Sequence, residues 1–313
     1  MKVFVTGVAG QLGHDVMNEL AERGYEGIGS DIKETYSGVC DGTAVEKMPY
    51  VQMDITDAES VRNVLTSVKP DVVVHCAAWT AVDLAEDEDK FDTVYAVNAV
   101  GTRNIAEVCR DLDCKMVYLS TDYVFDGTGT EPWKPDCKDY SPLNVYGKTK
   151  LEGEQAVSEI LEKYFIIRIA WVFGKNGRNF IRTMLDLGKK HDRLTVVNDQ
   201  IGTPTYTFDL ARLLVDMIET EKYGYYHATN EGGYISWYDF AVEIFRQAAE
   251  MGHPEYDGEH LKVVPVSTAE YGASKAARPF NSRLDKSCLS ENGFESLPRW
   301  QDALKRYLSD ISI

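Results

Sequence analysis

Tyr146 and Lys150 lie in the stretch Ser141-Pro142-Leu143-Asn144-Val145-Tyr146-Gly147-Lys148-Thr149-Lys150, so on a helix they are stacked neighbours on one face. An ammonium held near a phenol favours the phenolate, which lowers the tyrosine pKa and gives a proton donor usable near neutral pH. Ser141 followed by Pro142 reads as the helix start, which places Tyr146 in the second turn. The same pair on a solvated helix face would do nothing, so its meaning depends on the rest of the chain.

Phosphate chemistry is suggested at the amino terminus. Lys2 to Thr6 is a strand-like run that enters Gly7-Val8-Ala9-Gly10-Gln11-Leu12-Gly13, after which Leu12, Val16 and Leu20 repeat at helical spacing. In a strand–loop–helix context this glycine spacing lets the backbone turn tightly against a pyrophosphate, whose charge the helix N-terminus favours. Gly7, Gly10, Gln11, Leu12 and Gly13 are therefore the candidate dinucleotide loop. The second strand ends at Asp31, an acceptor for adenosine ribose hydroxyls that would repel a 2′-phosphate. That leans toward NADH, and Lys33 partly offsets the repulsion; the plainer reading is that Asp31 merely ends a strand.

A parallel sheet has to position these groups. Val72-Val73-Val74-His75 is a continuous apolar strand, as a buried parallel strand should be, with His75 expected to be a satisfied core histidine. It opens into Cys76-Ala77-Ala78, small residues that let the backbone lie against a cofactor. Tyr50 to Met53 is a strand whose end, Asp54-Ile55, is placed to flank the adenine. A helix follows over 58–68, capped by Thr56 or Asp57, and a long one over about 91–111 carries Asn98 near its middle. Lys115 to Leu119 delivers Ser120, Thr121 and Asp122 to a strand's carboxyl end, where open α/β sheets bind ligands. Residues 126–140, rich in Gly, Pro and Asp, read as a loop over the site.

The alternation of strands and helices predicts a doubly wound parallel α/β sheet of the Rossmann type over 1–155, with a smaller C-terminal substrate lobe over 156–313. The lobe should be interleaved with returns to the main unit near 195–222 and 262–285. Its expected pieces are a strand at 164–169, helices at 179–190 and 208–219, a strand at 225–229 and a capped helix at 236–250.

The 50 acidic and 33 basic residues leave a net charge of −17, which disfavours nucleic acid as a partner. No apolar run approaches a membrane span, and the first residues enter a strand at once, with no room for a signal peptide. The 6 cysteines contain no C-x-x-C pair, so reduced thiols in a cytoplasmic protein are expected, and no zinc site.

Taken together, these residues resemble the extended short-chain dehydrogenase/reductase family, on its branch acting on nucleotide sugars. The general pattern is carried by Thr6-Gly7-x-x-Gly10-x-x-Gly13, Thr121 and Tyr146-x-x-x-Lys150. The branch is carried by Ala81-Val82-Asp83, Val97-Asn98 with Gly101-Thr102, the run from Ser120 to Phe125 and that from Arg168 to Gly174. Asp199-Gln200-x-Gly202-x-Pro204-Thr205 and Arg278-Pro279-x-Asn281-Ser282-Arg283-Leu284 extend it over nearly the whole chain.

The resemblance implies hydride transfer from NADH or NADPH to the C4 keto group of a dTDP-linked 4-keto-6-deoxy sugar. Tyr146 would protonate the developing alkoxide, Lys150 would hold the nicotinamide ribose, and Thr121 would hydrogen-bond the reacting oxygen. Asn98 would join Cys76, Ala77 and Ala78 on the cofactor. Thr80, Val82, Asp122 and Trp171 map onto substrate contacts, although Trp171 could equally be core. Arg178, Arg182, Arg278 and Arg283 are candidates for the diphosphate. Some members are metal-bridged dimers that use glutamates; the comparable positions here hold Asp15, Asp209 and Gln301, so no metal is expected, and the chain is read as a monomer or homodimer. Tyr123 stands where related dehydratases carry an acid, which counts against dehydration. An epimerase, or a non-catalytic binding relative, remains as an alternative; the intact Thr121, Tyr146 and Lys150 speak against the second.

Overall fold

The computed structural model describes residues 1–272 and 274–313. The β-branched and aromatic runs become a seven-stranded sheet built from β1 (Lys2–Thr6), β2 (Glu26–Asp31), β3 (Tyr50–Gln52), β4 (Val72–His75), β5 (Lys115–Thr121), β6 (Tyr164–Ile169) and β7 (Gly224–His227). Its order is β7-β6-β5-β4-β1-β2-β3 and every pairing is parallel. The order reverses beside β1, where Thr6 pairs with Ser30 on one side and His75 on the other. A crevice must open there at the carboxyl ends of the strands.

Helices cover both faces, which is why residues 72–74 of β4 and 165–167 of β6 are continuous apolar runs. Gln11–Glu22 and Thr207–Ile218 pack on one side, burying Val16, Leu20, Leu210 and Leu214 against Val3, Val5 and Val74. Ala58–Val68, Gly101–Asp111 and Val145–Ile160 cover the other. Asp57 caps the first of these through the Glu59 and Ser60 amides, which decides between the two cap candidates. The long helix is present but interrupted: a π turn at Ala96–Val100 joins Phe91–Tyr95 to Gly101–Asp111 and carries Asn98.

Two expectations shift. The helix carrying Tyr146 starts at Val145 rather than near Ser141, because Asn144 provides the cap: its Oδ1 accepts the Gly147 N–H at 2.8 Å. Tyr146 therefore lies in the first turn, with Lys150 one turn on. The chain does return to the main unit through Thr207–Ile218 and β7, but Lys262–Val266 does not; it pairs with Arg193–Val197 in the smaller lobe. That lobe buries Phe173, Phe240, Ile244, Trp300 and Leu304 among helices Phe180–Gly188, Trp237–Glu250 and Trp300–Asp310. Ser236 caps the second of these in a reciprocal capping box with Asp239.

The loop over 126–140 is fastened from beneath. Arg168 on β6 and Glu154 on the Tyr146 helix form an ion pair with both side chains 0% exposed. Arg168 also donates to the Pro135 carbonyl and the Tyr140 hydroxyl, and its guanidinium lies against the Phe125 ring.

Candidate functional site

At the switch point the glycine loop, the β4 exit and the β5 exit face one another. Gly7 adopts φ +69°, and a Cβ there would come within 2.6 Å of the Ala77 nitrogen, so this position admits only glycine. A Cβ on Gly13 would meet the Gly7 carbonyl at 2.4 Å. The helix that follows has neither a side-chain cap nor an acidic residue in its first turn. Its amino end thus keeps backbone donors and a positive dipole for an anionic group. These are features that fit the diphosphate of a dinucleotide.

Two adjoining cavities share Gly7, Gly10, Cys76 and Ala78 as walls. One, of about 490 Å³, runs over Asp31, Asp54, Ile55 and Ala77. The other, of about 580 Å³, opens over Gln11, Leu12 and Gly13 and continues past Thr121, Tyr146 and Lys150 to Thr80, Val82, Asp122, Trp171, Arg178 and Arg278. A larger cavity of about 800 Å³, around His14 and Phe208, holds none of the reactive groups.

The reactive groups are tightly framed. Thr121 ends β5; its hydroxyl donates to Asp122 Oδ1 at 2.9 Å and accepts the Tyr123 N–H at 3.2 Å. Asp122 is buried with Oδ2 unpartnered, and burial pushes its carboxyl up to about 6. Tyr146 packs edge-on against Tyr123, with ring centres 5.7 Å apart. Lys150 is 3% exposed and places its ammonium 4.2 Å from the centre of the Tyr118 ring. Burial lowers its pKa to about 7, against the opposing pull of Glu154 one turn further on.

The expected lowering of the Tyr146 phenol by Lys150 is corrected here. Burial raises that pKa, with the Asp122 carboxylate adding to the rise and the Thr121 hydroxyl opposing it. Spacing put the two side chains on one face, but the surrounding protein disfavours both the ammonium and the phenolate.

A sequence profile for the RmlD substrate binding domain matches residues 1–313. The chain belongs to this family. Among its relatives, the spore coat polysaccharide biosynthesis protein SpsK of Bacillus subtilis is 37% identical over 312 residues, covering 99% of this chain and 98% of that one. A dTDP-4-dehydrorhamnose reductase of Aggregatibacter actinomycetemcomitans is 37% identical over 315 residues, with 97% of each chain covered. The crystal structure of dTDP-4-dehydrorhamnose reductase from Bacillus anthracis in complex with NADP superposes with a TM-score of 0.85 at 38% identity, covering 99% of this chain and 100% of that one. RmlD membership accords with the Rossmann-type parallel sheet.

Within this RmlD fold, most of the residues singled out from the sequence line the two cavities, and three do not. Asn98 is 1% exposed and fully engaged: its Oδ1 accepts the Trp79 N–H at 2.9 Å, and its amide donates to the Trp79 carbonyl and Thr149 hydroxyl. It ties the β4 exit to the Tyr146 helix and lines neither cavity. Arg283 turns to Asn281 Oδ1 and lies over the Tyr234 ring, outside the cavity. Arg182 donates to the Lys175 carbonyl and also stays out. Gln11 lines the wall, yet its Oε1 is occupied by the Gly174 N–H and the Asn179 amide. Asp31 faces its cavity while accepting the Ala9 N–H at 3.1 Å, so it braces the glycine loop as well. His75 is a satisfied core histidine, bonded to the Thr6 and Thr102 hydroxyls.

The structure adds residues that sequence reasoning missed. Trp171 holds φ +52°, uncommon for a side chain of its size, and stacks on Trp237 at 3.7 Å between ring centres. Trp237 opens the helix capped by Ser236, and nothing in the helical pattern marks it. Asn176 donates to the Ala9 and Gly10 carbonyls and accepts the Val39 N–H, stitching the glycine loop to the polar loop after β2. Among the described residues no group of His, Cys, Asp or Glu side chains is arranged to hold a metal.

Proposed function

We propose that the chain reduces the C4 keto group of dTDP-4-dehydro-L-rhamnose to dTDP-L-rhamnose, using NADH or NADPH. The observation that carries this reading is the convergence of Thr121, Tyr146 and Lys150 on one cavity wall directly beyond the glycine loop, in a chain whose full-length relatives are named for this reduction. The reduced nicotinamide, when bound, supplies the hydride. Gly7, Gly10, Gly13 and the open amino end of helix Gln11–Glu22 would hold its diphosphate, while Asp31, Asp54 and Ile55 would line its adenosine half.

The raised phenol of Tyr146 keeps its proton at neutral pH, which suits a group whose task is to donate it to a forming alkoxide. The Thr121 hydroxyl, fixed by Asp122, is placed to hold that oxygen. Lys150, lowered by burial to about 7, is drawn back toward its charged form as phenolate character develops or a phosphate binds nearby. Trp171 on Trp237, with Arg178 and Arg278 on the same cavity, would receive the nucleotide part of the substrate. The smaller lobe, built around helices Phe180–Gly188, Trp237–Glu250 and Trp300–Asp310, would be the substrate-binding part.

Among the described residues no helix is long and apolar enough to cross a membrane, and the cysteines are free thiols; a cytoplasmic monomer or homodimer is part of the proposal. The deciding assay is NADH and NADPH oxidation against a panel of nucleotide 4-keto sugars. Turnover confined to the dTDP-linked 6-deoxy substrate supports the proposal, and absence of oxidation with every member of the panel refutes it.

A further inference from the structure

The arginine on the cavity rim and the first turn that carries Tyr146 are joined by a continuous set of hydrogen bonds. Arg278 gives both terminal nitrogens to Asp83, at 3.0 and 2.7 Å. The same carboxylate accepts the backbone N–H groups of Lys275 and Ala276, at 3.1 and 3.0 Å, and Asp87 pairs with the Lys275 ammonium. Residues 275–278 are therefore strapped to the loop over 83–87. From that loop Glu86 reaches across and accepts the Val145 N–H at 2.8 Å. From the strap the Ala277 carbonyl accepts the Asn144 amide, also at 2.8 Å, while Asn144 Oδ1 caps Gly147. Asn144 is 2% exposed and spends its donor on the strap and its acceptor on the helix.

We infer that Asp83, Glu86 and Asn144 are positioning residues that couple an anionic group bound at Arg278 to the placement of Tyr146. The inference rests on the nucleotide-sugar reading above. Two of the amino-terminal amides of the Tyr146 helix are satisfied by side chains whose other contacts belong to the strap or its loop. A diphosphate drawing on Arg278 competes with Asp83 for the guanidinium, and Asp83 is what holds the strap. An adjustment of 275–278 reaches the residue two positions before the phenol directly through the Asn144 amide, and the first helical residue less directly through the loop that carries Asp83 and Glu86. Tyr146 is thereby brought to register when the nucleotide end is engaged, which is a use of remote binding energy at the reacting centre. Asp83, half-exposed and forked onto arginine, is suited to exchange with an incoming anion, since an ion pair at this exposure is weak.

Asn144→Ser separates coupling from capping, because serine is an equally good cap but has no amide to give Ala277. With cofactor saturating, Asn144→Ser should keep the wild-type melting temperature within a few degrees and lower kcat about tenfold or more, with the KM for the sugar nucleotide little changed. Arg278→Lys in the wild type should lower kcat as well as raise KM. In the Asn144→Ser background it should raise KM only, so that the two effects on kcat fail to multiply. In parallel, dTDP should slow amide hydrogen exchange over both 275–278 and 145–149 of the wild type, and over 275–278 alone in Asn144→Ser. Independent, multiplying effects on kcat, or dTDP protection that never reaches 145–149 in the wild type, would overturn the coupling and leave the reductase reading intact. Failure of the wild type to bind dTDP at all would overturn the nucleotide-sugar reading and this inference with it.

Discussion

At the level of single residues the site is defined by two groups whose charged forms the protein disfavours. Tyr146 is kept protonated by burial and Lys150 is brought to about 7 by the same cause. Tyr146→Phe removes the donated proton while leaving the glycine loop untouched. It should bind nicotinamide nucleotide normally and lose about 10²-fold or more in kcat, checked by steady-state kinetics beside fluorescence titration. Near-native turnover would take this tyrosine out of the mechanism. For Lys150 the consequence reaches stability. The folded chain releases this proton near 7, whereas the unfolded lysine holds it to about 10.5. Between those values the unfolded state binds more protons, so the contribution to stability is fully present above about 10.5 and is lost as pH falls through about 7. Lys150→Met deletes that titration. Without nucleotide, the variant should gain stability relative to wild type at pH 6 and lose that advantage by pH 9 to 10, while turnover collapses. Urea unfolding at the two pH values tests this, and parallel pH profiles for both proteins would refute it.

At the level of elements, the helix Val145–Ile160 is aimed by its neighbours more than by its own sequence. It is capped at one end by Asn144 and Glu86, tied at Thr149 to Asn98, and pinned at Glu154 to Arg168. The last contact is an ion pair removed from water, where loss of one partner leaves the other charge uncompensated. Arg168→Met should therefore cost about 3–5 kcal/mol in chemical denaturation. Adding Glu154→Leu should recover part of that loss, because the stranded carboxylate is then gone. A single variant that unfolds at the wild-type denaturant concentration would mean that the pair is not desolvated as its burial indicates. Because Arg168 also holds Pro135 and Tyr140, the single variant should loosen the loop over the cavity as well.

At the level of the whole molecule, the two cores meet along the cavity that begins at the glycine loop and ends at Trp171, Trp237 and Arg278. A reductase of this build must release oxidised cofactor in every cycle, whereas an epimerase returns it unchanged. Purified protein should thus carry little bound nucleotide and oxidise one NAD(P)H for each dTDP-4-dehydro-L-rhamnose reduced. Spectrophotometry with product quantification measures the ratio. Interconversion of two epimers by protein holding tight NAD⁺, with no net loss of reduced nicotinamide, would replace the reductase reading and leave the fold untouched.

Local chemistry was enough to determine much of this from sequence. The glycine spacing after β1, the apolar run of β4 and the hydroxyls closing β5 are short-range patterns, since each depends on backbone conformation or on burial of both sheet faces. Even the cap at the start of 236–250 was legible, because a cap is a contact between near neighbours. What only the tertiary structure decided are the relations between segments far apart in the chain. Asn144, the residue that caps the helix in place of Ser141, also gives its amide to Ala277, and Asn98 is bonded to Trp79 and Thr149. Trp237 reaches the cavity by stacking on Trp171, and strand Lys262–Val266 joins Arg193–Val197 rather than the main sheet. The Tyr146 proton belongs to the same class: spacing alone favours its release, and the enclosure formed by β5, Tyr123 and Asp122 holds it in place. Periodicity reports which face of an element is apolar, but not which distant side chain, or how little water, will stand opposite a polar one.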